Sequence, residues 1–309
     1  MTTDPNTLSV PELYDHLAET GLVRGLLELA RDEDLGPDLR DITAELVEVA
    51  AETSATVRSR KSAVLAGLAC VPDLLDVFDA NVEAAMLAAD GQHLSPDVDI
   101  LTLSGPLADI VRVERTLLNL IGRLSGIATR VRAFADRIPD TCTLLDTRKT
   151  TPGLRVLEKY AVRCGGGQLH RLGLHDAVLV KDNHIAHMSA EELTAFAERA
   201  ALQGRAAGAH FIEIEVDTLD QQRAVLAADP DAVDFVLLDN MPNDDLRLSV
   251  KLRNEARSPI QLEASGGISL DTIADIAATG VDRISVGSLT HQARSIDFGL
   301  DIEPADNNA

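Results

Sequence analysis

Cations collect in one part of an otherwise acidic chain. Between Cys142 and Lys181 stand seven basic residues (Arg148, Lys149, Arg155, Lys159, Arg163, Arg171 and Lys181) against three acids (Asp146, Glu158 and Asp176), a local balance of +4 in a 309-residue chain of formal net charge −22. Arg148 and Lys149 lie in "DTRKT" just past an apolar run, and His170 and Arg171 close "CGGGQLHR". A guanidinium is a planar fork for carboxylate or phosphate, and a lysine adds a mobile point charge. Isolated surface cations are ordinarily just solvated. Here Gly165, Gly166 and Gly167, which permit close backbone approach, favour an anion-binding loop over a bare helix end. Lys181 in "VLVKDNH" leaves three readings open: a Schiff-base nucleophile, an anion ligand, or half of a structural ion pair with Asp182.

Carboxylates come next along the chain. Glu213 and Glu215 in "FIEIEVD" have the strand period of two and therefore share one face. Buried acids need partners. Asp239, after "VLL", is a third strand-end acid. Structural ion pairing would account for all three; the chemical alternative is contact with sugar hydroxyls, with Mg²⁺, or with positive charge developing at a sugar carbon. "EASGGI" and "SVGSLT" put Ser265, Gly266, Gly267, Gly287 and Ser288 after two late strands, where backbone N–H groups can cradle a phosphate. The set as a whole suits a phosphorylated sugar joined to a polyanionic second substrate.

These residues must be positioned by strands. "CTLLD", "AVLVKDN", "FIEIEVD", "VDFVLLDN", "IQLEASGG" and "RISVGS" are short apolar runs ending in polar or glycine residues, and helix-period segments alternate with them. Ser189 with Glu192 and Thr218 with Gln221 form capping boxes at two helix starts. Continuously apolar strands alternating with helices predict a parallel sheet, either a β/α barrel or an open doubly wound sheet, with function at the strand ends. No G-x-G-x-x-G follows an early strand, which argues against a dinucleotide fold. Before this region, residues near 10 to 50 read as helical. "ATVRSRKSAVLAGL" and "DVDILTLSGPLADI" read as strands joined by a short helix around "LLDVFDANVEAAM", and "VRVERTLLNLIGRLSGIATRVRAFADRI" reads as a long connecting helix. The tail "EPADNNA" is expected to fray.

Composition narrows the function. With 45% hydrophobic residues the chain can build real cores,. With no Trp, 3% aromatic content and an acidic surface, nucleic acid is not expected as a partner. Cys70, Cys142 and Cys164 make no C-x-x-C pair and are read as reduced thiols of a cytoplasmic protein. No export signal or membrane-length apolar segment is visible.

The ordered motifs "EDLGPDLRDIT", "ERTLLNLIGRLSGIAT", "DTRKTTPGLRVLEKYAVRCGGGQLHRLGLHDAVLVKDNHI", "EIEVDTLDQ", "VLLDN", "EASGGI" and "ISVGSLTHQA" resemble the quinolinate phosphoribosyltransferase family over most of the chain. The resemblance implies an N-terminal α/β sandwich domain over 1–125, an incomplete β/α barrel over 126–289, and a segment near 290–309 that packs back on the first domain. It also implies a homodimer in which Arg115 reaches the partner's site, and a Mg²⁺-dependent reaction of quinolinate with phosphoribosyl pyrophosphate. By motif, Arg115, Thr147, Arg148, Lys149, His170 and Arg171 would bind quinolinate, and Lys181 would lie near the reacting groups. Glu215 and Asp239 would face the ribose and metal, with Lys149, Lys181, Glu215 and Asp239 as the catalytic set. Ser265 to Gly267 and Val286 to Ser288 would hold the 5′-phosphate. One departure is local: Leu169 stands where the family has Asn. Two other readings are a related molybdenum-transport-associated phosphoribosyltransferase with a different substrate, and a phosphosugar aldolase using Lys181 or Lys149.

Overall fold

The computed structural model describes residues 3–46 and 52–302; the tail "EPADNNA" and the last positions of the early helical region lie outside them. In chain order the elements begin with α1 (Val10–Ala18), α2 (Leu22–Leu35), α3 (Ile42–Leu46), β1 (Glu52–Ser59), β2 (Ala63–Val64), α4 (Val71–Val77), β3 (Glu83–Met86), β4 (His93–Leu94), β5 (Asp99–Pro106) and the long α5 (Leu107–Ala135). They continue with β6 (Thr143–Leu145), α6 (Arg155–Cys164), β7 (Val178–Val180), α7 (Asp182–Ile185), α8 (Ala190–Ala206), β8 (Ile212–Val216), α9 (Leu219–Leu226), β9 (Phe235–Asp239) and α10 (Asn243–Glu255). The last are β10 (Gln261–Ser265), α11 (Ile273–Ala277), β11 (Arg283–Ser285), α12 (Ser288–His291) and β12 (Phe298–Ile302).

The chain forms two compact units: residues 1–132, 150–166 and 289–309 in one, and 133–149 and 167–288 in the other. The first contains a four-stranded sheet ordered β12-β1-β5-β3, antiparallel at each pairing. The C-terminal strand β12 thus returns to an early one. The helix expected around "LLDVFDANVEAAM" is shorter than its sequence pattern: α4 ends at Val77, Asp79 turns the chain at φ 49°, and β3 pairs with β5 instead. Pairing with a central strand overrides the helical preference of "EAAM".

The compact units are not single stretches of chain. Thr150–Gly166, expected within the barrel, belongs to the first unit. The reason is packing: Tyr160 of α6 meets Tyr14 of α1 edge-to-face with ring centroids 5.5 Å apart, and Arg163 donates to the Leu8 carbonyl at 2.9 Å. Gly165 lies where an added Cβ would sit 2.5 Å from the Ala128 carbonyl oxygen and 2.5 Å from Val131 Cβ. Gly165 therefore lets α6 end tightly against α5.

The second unit is a six-stranded parallel sheet ordered β6-β11-β10-β9-β8-β7, with helices between successive strands. All five residues of β8 are buried, as a strand covered on both faces requires,. Both capping boxes form: Ser189 accepts from the Glu192 N–H at the start of α8, and Thr218 from the Gln221 N–H at the start of α9. Among the described residues no helix is long and apolar enough to cross a membrane.

Candidate active site

Parallel register sets the site. Glu215 pairs with Leu237, Leu237 with Glu263 and Glu263 with Arg283, while Asp239 pairs with Ser265, so these side chains fall on one face in successive rows,. At the C-terminal ends of the strands they open into a cavity of about 290 Å³. Its lining is Thr147, Arg148 and Lys149 after β6, His170 and Arg171, Leu179 and Lys181 from the end of β7, Glu215 of β8, Leu237 and Asp239 of β9, Ser265 of β10 and Ser285 of β11.

One side is cationic. Gln168 bridges alongside β6, donating its N–H to the Leu144 carbonyl at 2.8 Å, and buried Asp146 accepts the His170 N–H at 2.8 Å. These bonds bring the second half of the motif back beside the first. Asp176 accepts the N–H groups of Leu172 and Gly173 at 2.6 and 2.9 Å, closing the loop that carries Arg171. Arg171 is itself buried and donates to the Ala177 carbonyl at 3.2 Å. Burial, and then the neighbouring Arg148, pull its guanidinium below the usual arginine range,. The Nε atoms of Arg148 and Arg171 are both buried without a hydrogen-bond partner. Two adjacent cations with unfilled donors are arranged for an incoming anion.

The other side is acidic. Lys181 Nζ pairs with Glu215 Oε2 at 2.9 Å, so its ion-pair partner is across the sheet and not Asp182. Asp239 accepts from the Asn240 amide at 2.7 Å. Asn240 takes φ 51°, and a Cβ on Gly266 would sit 2.2 Å from its Oδ1, so only glycine fits there. Asp217 is raised by burial and by Asp182 and Asp239, which marks three acids in one neighbourhood. Val286 is buried, and a Cβ on Gly287 would meet the Lys149 side chain at 2.6 Å, so that glycine makes room for the lysine.

Beneath the mouth lies a buried charged layer. His170 Nε2 stands 2.8 Å from Glu213 Oε2 and 3.6 Å from Glu263 Oε1, and Arg283 Nε stands 3.1 Å from Glu263 Oε2. The Arg283 guanidinium covers the Phe235 ring at 3.6 Å,. Glu213 and Glu263 are fully buried, and burial pushes both carboxyls up to about 7 despite Arg283.

Of the residues singled out in the sequence, Thr147, Arg148, Lys149, His170, Arg171, Lys181, Glu215, Asp239 and Ser265 line the one cavity. Gly266, Gly267, Val286, Gly287 and Ser288 adjoin lining residues without lining it, and Arg115 projects from α5 with 68% of its side chain exposed. Sequence reading missed Asp146 as an anchor, Asn240, Ser285, and the pair Glu263 and Arg283. The period-two spacing of Glu263 with Ser265 and of Arg283 with Ser285 was the available signal.

Family models match in two blocks: the quinolinate phosphoribosyl transferase N-terminal domain over residues 41–125 and its C-terminal domain over 127–301. The chain belongs to the quinolinate phosphoribosyltransferase family. Among its relatives, a probable nicotinate-nucleotide pyrophosphorylase [carboxylating] of Bacillus subtilis is 39% identical over 87% of this chain and 90% of its own length. The Mycobacterium leprae protein of the corresponding name is 39% identical over 92% of this chain and 98% of its own. The solved nicotinate-nucleotide pyrophosphorylase of Francisella tularensis superposes with a TM-score of 0.81 at 34% identity, covering 98% of this chain and 100% of that one. The two-domain architecture of the quinolinate phosphoribosyltransferases is thus the architecture of this chain.

Proposed function

We infer that this chain transfers the phosphoribosyl group of phosphoribosyl pyrophosphate to quinolinate, releasing pyrophosphate and CO₂ and leaving nicotinate mononucleotide. The observation that carries the reading is the pair of buried, unfilled Nε donors on Arg148 and Arg171, held side by side at a cavity whose far wall is acidic. Arg148, Lys149 and Arg171, with Thr147 beside them, hold the two carboxylates of quinolinate. Nicotinate, lacking one carboxylate, leaves a fixed cation without a partner and is a poor substrate. Glu215 and Asp239 face the sugar and stabilise the positive charge that develops at its anomeric carbon as pyrophosphate leaves. The pyridine nitrogen becomes cationic on bonding to that carbon, and this charge stabilises the carbanion left when CO₂ departs, which takes up a proton from water to give the C–H bond of nicotinate mononucleotide. Lys181 pairs with Glu215 at 2.9 Å, and the matched relatives do not favour an aldolase. The matched relatives do not favour a molybdenum-transport-associated substrate either.

Glu215 and Asp239 offer hard carboxylate oxygens at the cavity, with Asp182 and Asp217 near Asp239, and oxygen donors of this kind suit Mg²⁺ carried in with the substrate's pyrophosphate. Bound there, the ion supplies positive charge against the leaving group. The loops at Ser265–Gly267 and Val286–Ser288 hold the 5′-phosphate. Arg115, exposed on α5, supports a homodimer in which it completes the partner's pocket. Three buried free thiols support a cytoplasmic setting,.

The test is incubation with quinolinate, phosphoribosyl pyrophosphate and Mg²⁺, following nicotinate mononucleotide and CO₂ together. Equal yields of both are expected. Turnover with another base and none with quinolinate sinks the assignment. For the shared site, mixed dimers of Arg115→Ala and Lys149→Ala subunits should regain activity that neither variant has alone; no recovery in verified mixed dimers removes Arg115 from the site.

A further inference from the structure

His170 has both ring nitrogens engaged on the protein side. Its Nδ1 accepts the main-chain N–H of Arg171 at 2.8 Å, so the hydrogen-bond network assigns the ring proton to Nε2,. Nε2 in turn faces the two fully buried acids, 2.8 Å from Glu213 and 3.6 Å from Glu263. The two carboxyls also stand within hydrogen-bonding reach of each other, and Ser285 within reach of Glu263. The Arg283 guanidinium offsets the charge of both acids and Arg171 that of Glu213, while the imidazole N–H faces them. The ring also stands edge-to-face on Phe211 at 5.5 Å, and only 6% of the residue is exposed.

We propose that Glu213 and Glu263 are positioning residues acting through His170: they orient the imidazole, its Nδ1 orients the Arg171 main chain, and that sets the Arg171 guanidinium at the pocket. Recognition of substrate carboxylates then belongs to Arg148, Lys149 and Arg171, and the His170 N–H is turned toward the layer below. This departs from a role for His170 as a direct anion ligand, and it rests on reading the cavity as the quinolinate site. The physical logic is that of a ligand held by a fixed neighbour: a buried carboxylate sets the tautomer and tilt of a histidine, and the opposite nitrogen transmits that orientation.

Two measurements test it on the full chain. In ¹⁵N-histidine NMR of the ligand-free protein, with the His170 signals assigned by loss in His170→Gln, Nδ1 should be unprotonated and Nε2 protonated. A proton on Nδ1 overturns the proposal, whatever the activity. In steady-state kinetics, Glu213→Gln and His170→Ala should each raise KM for quinolinate by about tenfold or more, with KM for phosphoribosyl pyrophosphate within about twofold. The double variant should be no worse than about threefold beyond the poorer single one, because both changes remove the same support. Multiplicative effects, or an unchanged KM in folded Glu213→Gln, overturn the proposal. Should Glu213→Gln fail to fold, the wild-type NMR result decides. A wild type inactive on quinolinate would refute the functional reading while leaving the tautomer result standing.

Discussion

The two ends of the parallel sheet treat charge in opposite ways. At the N-terminal end, Asp234 accepts the Ile212 N–H at 2.6 Å and pairs with Arg205 at 2.8 Å, and Asp282 accepts the Leu262 N–H at 2.7 Å and pairs with Arg253 at 2.8 Å. Each acid ties the start of one strand to a helix arginine, and both partners are satisfied. At the C-terminal end, Arg148 and Arg171 are brought together with buried Nε donors unfilled, and Asp217 is crowded by Asp182 and Asp239. Charge that closes on itself holds strands in register. Charge held apart from its complement is what a bound dianion and a phosphorylated sugar can fill.

Substitutions at the two ends should therefore fail differently. The largest effect is expected from Arg171→Ala, which removes a desolvated anion contact: kcat/KM for quinolinate should fall by about 100-fold or more. Its melting temperature should stay within about 2 °C of the wild type, since two like charges are separated. A large loss of stability with little loss of turnover would reverse the comparison. Asp282→Ala, at the opposite end, strands the Leu262 N–H and should cost about 1–3 kcal/mol in chemical denaturation, with kcat/KM of the folded enzyme within about twofold. Leu169, 3% exposed between Gln168 and His170, packs into the interior. Leu169→Asn should cost about 1–3 kcal/mol by burying an amide, yet leave KM for quinolinate within about threefold, because Asp146 and the Gln168 bridge hold the loop,.

The smallest effect is a slope. Glu263 titrates near 4.5 when unfolded and about 7 when folded, so the folded state binds the extra proton between those values,. Its contribution to stability is full below pH 4.5 and is lost as pH rises through 7. Unfolding free energies measured from pH 5 to 8 should fall less steeply in Glu263→Gln than in the wild type. Identical slopes would show that the buried layer does not carry this linkage.

Most of the second unit was legible in the chain. Short apolar runs of strand length, each ended by a polar residue and followed by a capped helix, define parallel strands because both faces of such strands are buried. The cations and acids that line the cavity sit at those run ends, so nine of the singled-out residues meet there. Less legible was anything decided by a distant partner. β3 is a strand because β5 lies beside it, and the sequence "EAAM" alone prefers a helix,. Nothing local shows that Val131 stands against Gly165.

The chain by itself determined the family, the order of strands and helices, and which residue types stand at the strand ends, because hydrophobic period and capping are local properties. Only tertiary structure decided which charges pair and which stay open. Lys181 has Asp182 as its neighbouring acid in the sequence, but the sheet places it 2.9 Å from Glu215, and Arg171 and Glu213 stand on the two nitrogens of His170. Charge is written in the sequence, but its energy depends on distance and burial, and these are set by residues tens of positions away.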